Sequence, residues 1–130
     1  MTGSRILLDT NIISAWLKGE KIIAHKIDEA AEVYIPINAL GEMYYGAQYS
    51  TNVQVNIENI GKVIEQYEVL NTNEDTASFY GTIKASLRRK GKPIPENDIW
   101  IATIAQQHGL TLITRDKHFE EIDGLSIENW

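Results

Sequence analysis

No cysteine occurs in the 130 residues, which excludes disulfides, thiolate zinc sites, iron–sulfur clusters and a cysteine nucleophile. That absence suits a reducing compartment. Long apolar runs are also missing: none approaches the ~18 residues needed to span a bilayer, and "MTGSRILLDT" lacks a basic segment followed by a long apolar one. A cytoplasmic protein with no membrane partner is expected. Internal repeats, low-complexity tracts and linker-like stretches are absent, so residues 1–130 are read as one domain. An excess of positive charge is lacking as well. With a net charge of −6 and a pI near 5.0, the surface as a whole repels a phosphate backbone, and only a local basic patch can reverse this.

What is present is a globular composition, 43% hydrophobic and 23% charged. Its first motif is "ILLDTNIIS", where Ile6, Leu7 and Leu8 read as a buried strand and Thr10 and Asn11 as residues that start a helix. Asp9 stands between the two. Helices are expected over 11–19 and 20–31, then a strand "EVYIP" ending at Pro36. Residues 38–49 and 52–66 read as a helical hairpin around a break at Ser50-Thr51-Asn52. A third strand is expected at 67–71, a long helix at 74–91 and another at 97–109. "LTLIT" (110–114) is the fourth strand, followed by a short helical turn at "DKHFEEI" and a short fifth strand at "LSIEN". Strands alternating with helices predict an α/β fold, with a central parallel sheet of four to five strands covered by helices on both faces and a helical hairpin insertion.

In open parallel sheets, sites form at the C-terminal ends of the strands, where loops and helix N-termini converge. Asp9 directly follows strand one, and Asp116 lies two residues past strand four. Asp98 falls in the first turn of its helix, and Glu42 lies one to two turns into the helix after "VYIP". Singly, each has an ordinary structural role as a cap, a first-turn acid or a solvated side chain. Together, four acids at the ligand edge of one sheet repel one another unless a cation neutralises them. Hard oxygen donors favour Mg2+ or Mn2+, and such an ion serves phosphodiester hydrolysis.

These residues resemble the PIN-domain ribonucleases, and among them the VapC-type toxins of toxin–antitoxin pairs. The resemblance rests on "LLDTNI", on "GEMYYG" after strand two, and on "ENDIWIATIAQQHGLTLITRDKHFEEIDGL"; it is loose over residues 50–90. The family's acids match Asp9, Glu42, Asp98 and Asp116, and Thr10, Asn11 and Thr114 match polar positions around its metal. The resemblance implies a PIN-like fold and Mg2+- or Mn2+-dependent cleavage of a structured RNA such as tRNA or rRNA, which inhibits translation. It also implies a cognate antitoxin and a homodimer.

For RNA contacts, "SLRRKGKP" collects Arg88, Arg89, Lys90 and Lys92 just before Asp98, while Arg115 and Lys117 flank Asp116. The histidines form no metal-binding pair by spacing, and His118 stands out only for its nearness to Asp116. Trp16, Tyr44, Tyr45, Tyr49 and Trp100 are read as core or dimer contacts. The hairpin's Leu40, Met43, Tyr44, Tyr45, Ile57, Ile60 and Ile64 offer more apolar surface than one core needs, which predicts a dimer contact or an antitoxin groove. Two rivals have weaker support. A haloacid-dehalogenase-like phosphatase needs a second Asp two residues after the first, where this chain has Asn11. A non-catalytic RNA- or protein-binding module differs in lacking metal-dependent turnover.

Overall fold

Strand β1 (Arg5–Leu8) lies at the centre of the molecule, in a computed structural model that describes residues 4–130. Ile6, Leu7 and Leu8 are all buried, as are Leu112, Ile113 and Thr114 of β4 (Thr111–Thr114). Successive strand side chains point to opposite faces, so burial of three in a row means that both faces of the sheet are covered. β2 (Glu32–Pro36), β3 (Glu68–Leu70) and β5 (Ile127–Asn129) complete a five-stranded sheet in the order β3-β2-β1-β4-β5, with every pairing parallel. Both edge strands are three residues long, which limits the unpaired backbone left to recruit another chain.

Among the described residues, six α-helices follow the strands: α1 (Thr10–Leu17), α2 (Lys21–Glu29), α3 (Ile37–Gln48), α4 (Val53–Gln66), α5 (Glu74–Lys90) and α6 (Glu96–Gln107). A 3-10 turn covers Lys117–Glu121. Phe119 from that turn is fully buried in the same apolar cluster as Leu7, Ile12, Ile35, Ile101 and Ile113, each burial contributing about 1.5–3 kcal/mol. α5 begins with a reciprocal cap in which Asn73 accepts from the Thr76 N–H and Thr76 Oγ1 accepts from the Asn73 N–H. It ends at Gly91, whose φ of +66° suits glycine.

The expected hairpin is present as α3 and α4, joined through residues 49–52. Most boundaries shift by one or two residues from those expected, and three of the shifts have a clear local cause. α1 starts at Thr10, one residue earlier than expected, because Asp9 itself is the N-cap. α6 starts at Glu96, since Pro95 supplies the extended residue before it. Tyr67 leaves the third strand to cap α4, its N–H bonding back to the Val63 carbonyl. No helix among the described residues is long and apolar enough to cross a membrane.

Candidate active site

The parallel register brings the C-terminal ends of β1 and β4 side by side, with Leu8 opposite Ile113. Asp9 continues β1 by one residue and donates its N–H to the Ile113 carbonyl at 2.9 Å, so its side chain starts from a fixed backbone. The carboxylate is buried and accepts two hydrogen bonds: Oδ1 from the Thr10 N–H at 2.8 Å and Oδ2 from Thr114 Oγ1 at 2.7 Å. Burial pushes its pKa up to about 6; the bonds from Thr114 and Thr10 pull it down, and the charges of Asp98 and Glu42 add to the rise. The charges that act on this buried acid are therefore other acids.

Glu42 reaches the same edge from α3. Its Oε1 accepts from Thr10 Oγ1 at 3.1 Å and from Asn97 Nδ2. Asn97 is itself oriented, because Asn38 Nδ2 donates to its Oδ1 at 3.3 Å while its own Nδ2 also faces the Asn38 carbonyl at 3.4 Å. Asn38 Oδ1 is buried without a partner among the described residues.

Asp98 and Asp116 are tied together by one imidazole. His118 Nε2 lies 2.8 Å from Asp98 Oδ2, and its Nδ1 lies 2.8 Å from Asp116 Oδ1. Asp116 also caps the 3-10 turn through the His118 N–H, and its own N–H donates to Thr114 Oγ1 at 3.0 Å. Thr114 thus links the Asp9 carboxylate to the Asp116 backbone. Ligand atoms of Asp98, Asp116 and His118 lie within 4.8 Å of one another, close enough to hold one metal ion. The donor set fits a hard divalent cation: carboxylate oxygens predominate, sulfur is absent, and the nearby Asp9 carboxylate, raised by burial and further by neighbouring acids, is stabilised in its charged form by positive charge.

Asn11 accepts from the Arg115 N–H at 3.4 Å, tying the loop after β4 to α1. Among the six cations read as RNA contacts, Arg115 forks onto Glu20 at 2.7 and 3.2 Å and donates to the Trp130 carbonyl. Lys90 binds Asp123 at 2.5 Å and the Glu121 carbonyl at 2.7 Å. Arg88, Arg89, Lys92 and Lys117 are exposed. Asn97 and Asn38 were not among the expected site residues. The signals for them were the position of Asn97 next to Asp98 and the four-residue spacing of Asn38 and Glu42, which places both on one helix face.

Three comparisons with known proteins bear on the family and the fold. The PIN domain family matches residues 6–125. Ribonuclease VapC2 of Haemophilus influenzae is 33% identical over 129 residues, covering 97% of this chain and 98% of that one. The tRNA(fMet)-specific endonuclease VapC of Salmonella typhimurium is also 33% identical, with the same coverage. Among solved structures, VapBC2 from Rickettsia felis bound to a DNA fragment from its promoter superposes with a TM-score of 0.91 at 26% identity, covering 96% of this chain and 98% of that one. A buried strand-end acid under the charges of Asp98 and Glu42, and near-full-length similarity, lead to one assignment: this chain belongs to the PIN domain family, alongside the VapC ribonucleases.

Proposed function

We propose that this protein is a metal-dependent endoribonuclease acting as the toxin of a type II toxin–antitoxin pair, and that it cleaves a structured RNA such as tRNA or rRNA to inhibit translation. The observation that carries the reading is the gathering of Asp9, Glu42, Asp98 and Asp116 at one sheet edge, held by Thr10, Thr114, Asn97 and His118. The substrate class is supported by the relative whose name specifies tRNA(fMet).

Asp9, Glu42, Asp98 and Asp116 would hold Mg2+ or Mn2+. When bound, such an ion lowers the pKa of water and stabilises charge developing on a phosphate. The chain's own residues keep the acids aimed. Thr114 and Thr10 donate to the buried Asp9 and favour its charged form, and Asn97 with Thr10 fixes one oxygen of Glu42. His118 spaces Asp98 from Asp116. Among the cations, Arg88, Arg89, Lys92 and Lys117 are the better phosphate contacts, since Arg115 and Lys90 already bind acids of this chain.

A cognate antitoxin is the expected protein partner, in line with the VapBC2 assembly from Rickettsia felis. A homodimer is supported by exposed apolar side chains on the hairpin, notably Tyr44, Tyr49, Val55 and Ile64. Sequencing RNA 5′ ends after brief expression of wild type and of Asp98→Asn tests the activity. New ends from the wild type that vanish in the variant are expected. Equal ends from both would refute it.

A further inference from the structure

One side chain at the reaction edge differs in kind from the acids. His118 places its ring between two of them, with Nε2 2.8 Å from Asp98 Oδ2 and Nδ1 2.8 Å from Asp116 Oδ1. Both are ordinary hydrogen-bond lengths, yet they match a second geometry as well. Donor atoms bound side by side on an octahedral ion at ~2.1 Å stand roughly 3 Å apart, and those on opposite sides roughly 4.2 Å apart. The ligand atoms of Asp98, Asp116 and His118 all fall within 4.8 Å of one another, near that limit. Among the described residues this is the group able to share one ion, and it sets a nitrogen beside its carboxylates.

The ring is held for such a task. The His118 N–H donates to Asp116 Oδ1 at 3.2 Å, which fixes the backbone, and the ring packs against the fully buried Phe119, centroids 5.3 Å apart. A histidine that binds a metal through one ring nitrogen gives its other N–H to a carboxylate or carbonyl, which sets the direction of the ring. Here each end of the ring faces a carboxylate, so either nitrogen can bind while the other keeps an orienting partner. The other two histidines stand apart from the acids. His25 faces Glu29 on α2, and His108 is the C-cap of α6, at the end away from Asp98.

We propose that His118 is itself a ligand of the divalent ion, alongside Asp98 and Asp116, and that its nitrogen gives the site a preference for Mn2+ over Mg2+. Mg2+ keeps to oxygen ligands and water, whereas imidazole suits transition ions. The inference rests on the metal-dependent ribonuclease reading given above and adds to it a donor and a selectivity that four carboxylates do not supply.

The test uses the full-length protein with Mn2+ and no RNA. Pulsed electron paramagnetic resonance of the Mn2+-loaded wild type should show coupling to a directly bound nitrogen. His118→Ala should lose that coupling while still binding Mn2+, and His25→Gln with His108→Gln should keep it. In calorimetric titrations the ratio of the Mg2+ Kd to the Mn2+ Kd should fall about tenfold from wild type to His118→Ala, the lower end of what disturbing a metal centre costs in affinity. A merely structural role would weaken both ions alike and leave the ratio unchanged, which would overturn the selectivity. Wild type that binds Mn2+ without nitrogen coupling overturns the ligand while the metal-dependent reading stands, and that result needs no variant to fold. Coupling that persists in His118→Ala places the nitrogen elsewhere and overturns the ligand too. Wild type that binds neither ion at millimolar concentration overturns both the ligand and the metal-dependent reading.

Discussion

Thr114 Oγ1 donates to Asp9 Oδ2 at 2.7 Å, joining residues 105 positions apart in a place where neither reaches solvent freely. The bond stabilises the charged form of a carboxylate that burial otherwise pushes toward neutrality. Thr114→Val keeps the shape and removes the donor. It should raise the Asp9 pKa further and cost about 1.5–3 kcal/mol of stability at neutral pH, whereas Thr114→Ser should stay close to wild type. Chemical denaturation of the three proteins checks this, and equal stability of the Val and Ser variants would contradict it.

The raised pKa of Asp9 gives the metal-free protein a definite pH dependence. Its folded-state value of about 6 lies above the ordinary carboxylate value of 3.8, so the folded protein binds more protons than the unfolded chain between those limits. The resulting stability is fully present below about pH 4 and is lost as pH rises through 6. The contribution is about 3 kcal/mol. Measured in chelator as the difference between wild type and Asp9→Asn, which cancels other titrating groups, stability should fall by that order from pH 4 to pH 7. A difference that is flat in pH would mean that Asp9 titrates normally.

Asn97 holds Glu42 through an amide that Asn38 orients, so its removal should loosen one acid without emptying the core. Asn97→Ala is expected to raise the Mn2+ concentration needed for half-maximal cleavage by roughly 10–100-fold, the usual effect of losing a partner that orients a metal ligand. Asn97→Asp, which sets a like charge against Glu42, should be worse without metal and partly recover at high Mn2+. Metal titrations of cleavage distinguish these outcomes, and an unchanged Mn2+ dependence in both would remove Asn97 from a positioning role.

How far the site was legible follows from what fixes each residue. Asp9 and Asp116 could be placed because a parallel sheet sends its strand ends to one edge, so position in the chain became position in space. Asn97 could not be linked to Glu42 in the same way. Their contact spans 55 residues and depends on how α3 and α6 pack, which helical spacing does not encode. Arg115 carried the opposite ambiguity: a cation beside Asp116 reads as a phosphate contact until Glu20, 95 positions away, is seen holding it. The hairpin was legible as two helices, but Tyr45 and Tyr49 are far more exposed than core residues.

That exposure bears on assembly. Tyr44, Tyr49, Val55 and Ile64 are 36–80% exposed on α3 and α4, more apolar surface than a solitary domain usually leaves open. The protein is expected to be dimeric in light scattering at micromolar concentration, and Tyr49→Lys with Val55→Lys should shift it toward monomer while leaving its melting temperature nearly unchanged. A wild type that is monomeric throughout that range would rule out the dimer.

The metal site can be tested without any RNA. Asp98 adds to the charge that raises the Asp9 pKa, so the metal-free fold carries repulsion that a divalent ion relieves. An ion that binds only the folded state stabilises it by RT ln(1 + [M]/Kd), about 2.7 kcal/mol at a hundredfold excess over Kd. The melting temperature of wild type should therefore rise with millimolar Mn2+ or Mg2+. Asp98→Asn removes one of the crowded charges, and its side-chain oxygen can still accept from His118. It should melt at or above the wild type in EDTA and lose most of the metal-induced rise. If Asp98 served only as a first-turn helix acid, the outcome would be reversed: its loss would cost about 0.3–1 kcal/mol with or without metal. Thermal melts of both proteins in EDTA and in Mn2+ separate the two cases, and an equal metal response would exclude Asp98 from the site.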